Sequence, residues 1–428
     1  MKNEPDTDVI VVGAGLAGLS PARRLESQGY QSLVLEYRSR PGGRTRTLEK
    51  QGYRFDMGGE FVGESHSRVL ELIDKYGLTT VKNSFSVRRS KIRNSKNKQI
   101  GPLGLLDPRS LTSVYRIHRE LEKLGRNLDP EKIWRSEKAR ELDRKSVAEW
   151  LDELNPNPRV RYIFESLISG FAGVEEADIS LLQLAWWIAL GGGPLTSVYD
   201  SVRYRIKEGA GALSRNLASD LDTVRYEEKV TEIEETDGNV EVRTDGGRSY
   251  CGRYVVAAVG INVVDGIRFD PPLEGDVRRS TESLNYGSLT KINLALDRDV
   301  TGRSCIGGEP VSLALGYGRV ATGFAYGDNG ELDDEKLAWD LMDALEVRKA
   351  RLLNIEIKNW GDCPYTQGNY VYFKPGQITD LAPALNRSHG RTVFASAERS
   401  SCPMWMEGAV ESGYRASDHL TSKLKTCP

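Results

Sequence analysis

The chain opens on four consecutive apolar positions, Val9-Ile10-Val11-Val12, which enter Gly13-Ala14-Gly15-Leu16-Ala17-Gly18 with no polar residue between. A second run, Ser32-Leu33-Val34-Leu35-Glu36, follows at the distance needed for a helix between two strands. Short continuous apolar runs bounded by glycine predict strands buried on both faces, as in a parallel sheet. From about residue 66 to 200 the spacing becomes helical. Ser67 to Tyr76, Leu111 to Leu124 and Val147 to Leu154 are amphipathic helix candidates, separated by turn-rich pieces such as Asn155-Pro156-Asn157-Pro158. Ile179 to Leu190 is apolar on every side except at Gln183 and stops at Gly191-Gly192-Gly193-Pro194, which predicts a buried helix. Ala210 to Leu221 is a further helix candidate, and Val224-Arg225-Tyr226-Glu227 begins strand-like sequence. Val230 to Glu235 and Val240 to Thr244 flank Asp237-Gly238-Asn239 as a hairpin, and Asp245-Gly246-Gly247 turns the chain toward Arg253 to Ala258, a return to the parallel sheet. Strands at Leu289 to Leu296, Val311 to Tyr317 and Thr322 to Ala325, a helix at Asp334 to Ala350, a strand at Thr392 to Glu398 and a helix at Met406 to Leu420 complete the pattern.

Strand, glycine-opened helix, strand and terminal acid together predict an adenine-dinucleotide site. Gly13 permits the tight turn, Gly15 lets the backbone approach a pyrophosphate, and Gly18 lets helix and strand pack closely. The helix N-terminus then presents unpaired N–H groups to the phosphates. Glu36 stands where a carboxylate accepts hydrogen bonds from ribose hydroxyls. With 428 residues the chain exceeds the size at which one core usually keeps growing. The expected fold class is therefore α/β, in two domains. Residues 1–65, 205–270 and 376–428 form a discontinuous Rossmann-type cofactor domain, and 66–204 and 271–375 a mixed-sheet and helical substrate domain.

Composition removes several functions. Fifty-nine basic against 61 acidic side chains give a formal charge of −2, which leaves no electrostatic footprint for nucleic acid. The densest basic run, Arg88-Arg89-Ser90-Lys91-Ile92-Arg93 with Lys96 and Lys98, reads as a solvated surface loop. Five scattered cysteines, Cys251, Cys305, Cys363, Cys402 and Cys427, suit neither a disulfide scaffold nor a metal cluster, and four histidines without HExxH spacing add no metal site. The first residues lack a basic segment followed by an apolar core, and no apolar run reaches the roughly 20 residues needed to span a bilayer. A soluble cytoplasmic protein with no membrane partner is the expectation.

Further motifs resemble the flavin-containing monoamine oxidase family from residue 8 to residue 420. After Glu36 come Arg38 and then Pro41-Gly42-Gly43-Arg44-Thr45, similar to the family's GGR stretch, whose arginine lies close to the FAD pyrophosphate. Asp56-Met57-Gly58-Gly59-Glu60-Phe61-Val62-Gly63 resembles the following glycine-rich turn near the flavin. Val230 stands at the position whose backbone contacts adenine, and Glu398 matches a glutamate beside the ribityl and pyrophosphate portion. Trp405-Met406-Glu407-Gly408-Ala409 matches the motif that places a helix N-terminus against the isoalloxazine. The resemblance implies a two-domain flavin amine oxidase-like fold and FAD as cofactor.

Two catalytic features carry over by the same resemblance. Lys291, in Gly287-Ser288-Leu289-Thr290-Lys291, matches a lysine that holds a water near flavin N5, where an ammonium can stabilise developing negative charge. Tyr370 and Trp405 match two aromatic walls before the flavin; taken alone, such residues would read as core. Some relatives tether FAD through a cysteine, but here the position is Asn369, so the cofactor is expected to be non-covalent, with Cys363 the only thiol close in sequence. Ser396 replaces a usual glycine, and the C-terminal membrane helix of the mitochondrial members has no counterpart in Leu420 to Lys425.

The implied reaction is oxidation of an amine C–N bond to an imine by hydride transfer to FAD, with O2 reoxidising the flavin to give H2O2. The partners are then a small-molecule amine and O2, with a homodimer as a compatible assembly. Substrate class stays open in the sequence. Arg319 is a candidate for an amino-acid carboxylate, Glu60, Glu64 or Glu309 for the distal ammonium of a diamine, and Trp187 for an apolar inlet. A desaturase or dehydrogenase with a non-oxygen acceptor and a non-catalytic FAD-stabilised binding protein are the competing functions.

Overall fold

The computed structural model describes residues 5–426 apart from 84, 86–88, 100–106, 195–199, 201, 237 and 327–332. Arg88, Asp237 and Cys427 of the motifs above lie outside the described residues. The opening apolar run forms the strand Thr7–Val12 at the centre of an eight-stranded sheet. Val11 lies between Val34 of the parallel strand Ser32–Glu36 and Val256 of the parallel strand Ser249–Ala257. Alternation then divides the side chains between two cores. Val9 and Val11 pack with the helices Leu16–Glu26, Gly211–Ser219 and Met406–Thr426, while Ile10 and Val12 face Leu33, Leu35, Ile233, Val242 and Phe394. The hairpin strands Val230–Glu235 and Val240–Thr244 extend this sheet antiparallel, and Thr392–Phe394 joins the C-terminal end of Ser249–Ala257 in parallel.

A second sheet has the antiparallel order Leu352–Asn359, Leu289–Leu296, Val320–Tyr326, Val311–Tyr317, Ser304–Ile306, with Lys91–Ile92 paired in parallel at its far edge. The helix Asp334–Ala344 covers one face through Ile292, Leu294, Leu341 and Ala338. The other face turns Leu289, Leu313 and Phe324 toward Phe61, Leu167 and Phe171. Helices Pro108–Gly125, Val147–Leu154, Pro158–Ala172 and Leu181–Leu190 form a separate apolar cluster beside it. Among the described residues no helix is long and apolar enough to cross a membrane.

Four differences from the pattern reading have physical causes. Asn155-Pro156-Asn157-Pro158 is less a loop than a helix start: Pro158 occupies the first turn of Pro158–Ala172, and the Asn157 side chain accepts from the Arg159 N–H. The helix expected to run from Asp334 to Ala350 stops at Ala344, because Glu346 takes a left-handed conformation (φ 54°) and the Val347 N–H returns to the Met342 carbonyl. The strand from Thr392 ends at Phe394, and Ala397–Arg399 is a single 3-10 turn. The basic run is not simply a solvated loop: Arg93 is 1 % exposed, ion-paired to Asp340 at 2.8 Å and hydrogen-bonded to the Val311 carbonyl. Its guanidinium staples the edge strand Lys91–Ile92 to the covering helix, a long-range pairing that local charge density cannot reveal.

Candidate active site and cofactor cradle

A cavity of about 620 Å³ runs from the carboxyl ends of the parallel strands toward the second sheet. Its walls are built from the dinucleotide motif. Gly13 turns the chain at φ 104°, and a Cβ there would meet the Ala258 carbonyl oxygen at 2.7 Å. A Cβ on Gly18 would lie 1.9 Å from the Gly13 carbonyl oxygen, so the helix can only seat against the turn with glycine at that position. Around Gly15, by contrast, a Cβ would touch nothing within 4 Å, and the residue opens on the cavity. Glu36 is buried at the end of its strand and accepts from the Ala14 and Arg38 N–H groups at 2.8 and 3.0 Å. Burial pushes its carboxyl above the usual range, against the pull of those N–H donors and of Arg38.

Arg38, Gly43, Arg44, Gly59, Glu60, Val230, Lys291, Tyr370, Trp405 and Met406 line the same cavity, though they come from segments as far apart as residues 38 and 406. Gly18 and Glu398 stand behind the wall. Arg44 donates to the Asn369 carbonyl and to Glu398 Oε1, both at 2.7 Å. Glu398 is 1 % exposed; burial raises its pKa, but the Arg44 charge, with hydrogen bonding, outweighs this and holds the carboxyl below the usual range. Met406 begins the helix Met406–Thr426, so that helix directs its N-terminus at the cavity. Glu407, a residue the motif reading passed over, accepts from the Arg68 and Val69 N–H groups and so caps the neighbouring helix Ser67–Lys75.

A second cavity of about 180 Å³ shares Phe61, Phe324, Tyr370, Met404 and Trp405 with the first. Phe164, Leu167, Phe171, Trp187 and Leu313 make the rest of it largely apolar. His66 and Asp200 on its wall are held by their own neighbours. His66 Nδ1 accepts the Gly63 N–H at 3.0 Å, which leaves its proton on Nε2, and its ring centroid lies 5.4 Å from that of Trp405. Burial lowers its pKa to about 4, with Asp200 opposing the shift. Asp200 accepts from the Glu64 N–H and the Ser65 hydroxyl, both at 2.5 Å. Neither His66 nor Asp200 belongs to a sequence motif that would single it out.

The substrate candidates divide accordingly. Trp187 lines the small cavity as expected. Arg319 does not reach either cavity; it donates to the Leu296 and Asp297 carbonyls. Glu64 is exposed and paired with Arg203, and Glu309 is likewise exposed and outside both cavities. Glu60 is committed to Lys291 at 2.7 Å. Cys363 Sγ accepts from Arg38 Nη2 at 3.0 Å and lies near the Tyr37 hydroxyl; among the described residues no cysteine lines the larger cavity. Hydrogen bonds from Tyr37 and Thr366 lower its thiol to about 7, in spite of burial, the largest single influence, which acts to raise it.

Two amide oxygens show what chemistry the larger cavity is made for. Asn262 and Asn369 are oriented by their own amide N–H groups, which donate to the Thr366 and Gln367 carbonyls and to the Leu289 carbonyl. Their Oδ1 atoms are buried on the cavity wall with no partner among the described residues. Buried acceptors of this kind take donors from ordered water or from a ligand. An N–H- and hydroxyl-rich group such as FAD supplies them, so the residues fit that cofactor.

The comparisons agree. A family profile described as flavin containing amine oxidoreductase matches residues 16–421. Amine oxidase [flavin-containing] B of Sus scrofa is 28% identical over 453 residues, covering 98% of this chain and 87% of the relative. The amine oxidase [flavin-containing] of Danio rerio is 29% identical over 450 residues, covering 96% and 85%. Among solved structures, cyclohexylamine oxidase from Brevibacterium oxydans IH-35A superposes with a TM-score of 0.88 at 24% identity, covering 98% of this chain and 100% of that one. A wild-type putrescine oxidase bound to putrescine gives 0.87 at 22%, covering 97% and 99%.

Proposed function

Because the chain belongs to the flavin containing amine oxidoreductases and is an FAD-dependent amine oxidase, we propose that its substrate is a monoamine with an apolar substituent. The observation that carries this reading is the small apolar cavity, which among the described residues shares Phe61, Phe324, Tyr370, Met404 and Trp405 with the cofactor-sized one. FAD, when bound, accepts a hydride equivalent from the amine's α-carbon and passes the electrons to O2.

Everything else in the proposal concerns this chain's own side chains. Gly13, Gly15, Gly43 and Arg44 would hold the pyrophosphate, with Gly18 and Glu398 bracing them from behind. Glu36 and Arg38 would hold the ribose and Val230 the adenine, leaving Gly59, Glu60 and Met406 at the ring end. Tyr370 and Trp405 orient the amine nitrogen and α-carbon between them, which fixes the reacting geometry before any bond changes. Phe61 and Phe324 exclude water at the junction of the cavities. Lys291 contributes a positive charge at the reacting end. A neutral His66 does not repel an entering cation. The amine must arrive or become neutral to lose hydride, and the apolar wall favours that form.

Neither an amino acid nor a diamine finds what it needs in the small cavity. Among the described residues no arginine lines it to receive a carboxylate, and the one acid, Asp200, is already held by Ser65 and Glu64. Anaerobic mixing of the flavoprotein with monoamines, diamines and amino acids, followed by oxygen, tests the reading. Arylalkyl or cycloalkyl monoamines should bleach the flavin fastest and return the colour with H2O2. Faster bleaching by a diamine or an amino acid would reject the substrate assignment, and slow return of colour would reject oxygen as acceptor.

A further inference from the structure

Lys291 lies on the strand Leu289–Leu296, every residue of which is buried, and its side chain is only 4 % exposed. Two of the three ammonium N–H groups are fixed: one donates to Glu60 Oε2 at 2.7 Å, another to the Gly58 carbonyl at 2.9 Å. Glu60 is more deeply buried still, with 1 % of its side chain exposed. Its other oxygen accepts from the Tyr317 hydroxyl, whose oxygen in turn accepts from Thr322 Oγ1 at 2.5 Å. The Arg205 guanidinium stands 3.4 Å from the centroid of the Tyr317 ring. Phe61 and Phe324 place their rings within 5.9 and 5.5 Å of the ammonium. The carboxylate is therefore gripped on both oxygens by groups from two different strands of the second sheet.

We propose that Glu60 is a positioning residue, the dedicated counter-ion that keeps Lys291 an ammonium and aims its remaining N–H into the cavity. A buried ammonium without a counter-ion sheds its proton, because desolvation penalises the charged form by several kcal/mol. With Glu60 at hydrogen-bond distance the pair is neutral overall, while the positive end still faces the reacting space that both residues line. The charged and titratable groups that face the pair are Asp56, Tyr317, Arg205 and Tyr370, together with Lys358, which stands opposite Lys291 on the neighbouring strand Leu352–Asn359 and adds like charge. Asp56 does not replace Glu60. Its carboxyl is pushed up to about 7, first by burial and then by the Glu60 charge, with Lys291 opposing, and its Oδ1 accepts from Thr47 and from the Ala210 N–H. Tyr317 is held neutral by burial and by Glu60 itself, so it serves as a hydrogen-bond donor.

The inference rests on Lys291 being part of the reacting site, and its test separates the two claims. Competitive acetylation with acetic anhydride across a pH series, read by peptide mass spectrometry on cofactor-free protein, reports whether Lys291 is ammonium or amine. Accessibility scales the rate equally at every pH, so the profile and not the absolute rate carries the result. In wild type, Lys291 should stay inert until alkaline pH. Glu60→Gln should raise its labelling at pH 8 at least about ten-fold relative to wild type, whereas Glu60→Asp, which keeps the charge, should restore protection. In the flavin-loaded enzyme Glu60→Gln should make reoxidation fall with rising pH across a range where wild type is flat. An unchanged acetylation profile in Glu60→Gln overturns the proposal. If that variant does not fold, a wild-type Lys291 already reactive at neutral pH overturns it equally. Should Lys291→Met leave oxygen kinetics untouched while the acetylation result holds, the role of Lys291 fails and that of Glu60 as its counter-ion survives.

Discussion

His66 lets the electrostatics of the small cavity be tested through stability alone. Its ring is 3 % exposed, its Nδ1 is occupied by the Gly63 N–H, and burial takes its pKa from 6.5 down to about 4. Folding therefore favours the neutral imidazole. The stability this contributes is complete above pH 6.5 and drains away as the pH falls toward and through 4, because the unfolded chain binds the proton first. A difference from 6.5 to about 4 is worth about 3 kcal/mol, of which about 2 kcal/mol is gone by pH 5. The informative variant is His66→Asn, neutral at every pH and still able to offer an oxygen to the Gly63 N–H. Urea unfolding of the cofactor-free protein at pH 7.5, 6, 5 and 4, followed by tryptophan fluorescence, should show wild type losing about 3 kcal/mol more than the variant over that range. The difference between proteins matters because Asp56, raised to about 7, acts in the opposite sense: its contribution is full at low pH and is lost as pH rises through 7. Nitrogen-15 labelling of the four histidines gives a direct readout, in which one should keep its Nε2–H form down to about pH 4. Parallel stability curves for the two proteins, or four histidines all titrating near 6.5, would refute the argument and with it the neutral state of His66 in the cavity wall.

Three further outcomes follow from the same geometry. Gly18→Ala brings a methyl to 1.9 Å from the Gly13 carbonyl oxygen, a backbone atom that cannot step aside, so thermal unfolding should reveal a loss of at least about 2 kcal/mol, and a wild-type melting temperature would disprove the close packing. Glu36→Ala removes a carboxylate that both faces the cofactor cavity and receives the Ala14 and Arg38 N–H groups; FAD retention on gel filtration should fall at least about ten-fold, and full flavin content would count against the ribose role. Trp405→Ala should lower kcat/KM for an apolar monoamine by about a hundred-fold while flavin content changes little; equal loss of both would mark Trp405 as a structural support of the helix Met406–Thr426.

What could be read from the chain depended on whether the cause was local. Val9 to Val12, the hairpin around residues 235–240 and the strand Leu289–Leu296 announce themselves because burial and alternation are written in consecutive residues. Gly18 did so for the same reason, since its contact is with Gly13 five residues earlier, whereas the contact that excludes a side chain at Gly13 comes from Ala258. Glu60 shows where such reading stops. In sequence it was a residue of a glycine-rich turn, equally suited to face a cofactor or the far end of a diamine. Only the approach of Lys291 and Tyr317, 231 and 257 residues away, gives its carboxylate both of its partners. Arg93 follows the same logic in the opposite direction, since a cluster of basic residues suggests solvent until Asp340, 247 residues on, provides the counter-charge that lets one of them be buried. Arg319 completes the case: an arginine free in sequence to bind a carboxylate is turned by two backbone carbonyls at a strand end to a place outside both cavities. A charged residue's type thus narrows what it can bind, but whether it has binding capacity left for a ligand is decided by tertiary partners. It follows that substrate preference in this fold is set less by which acids and bases line a segment than by which of them tertiary contacts leave free to bind, and in the small cavity the hydrogen bonds that occupy Asp200 and the neutral state of His66 support the apolar amine proposed above.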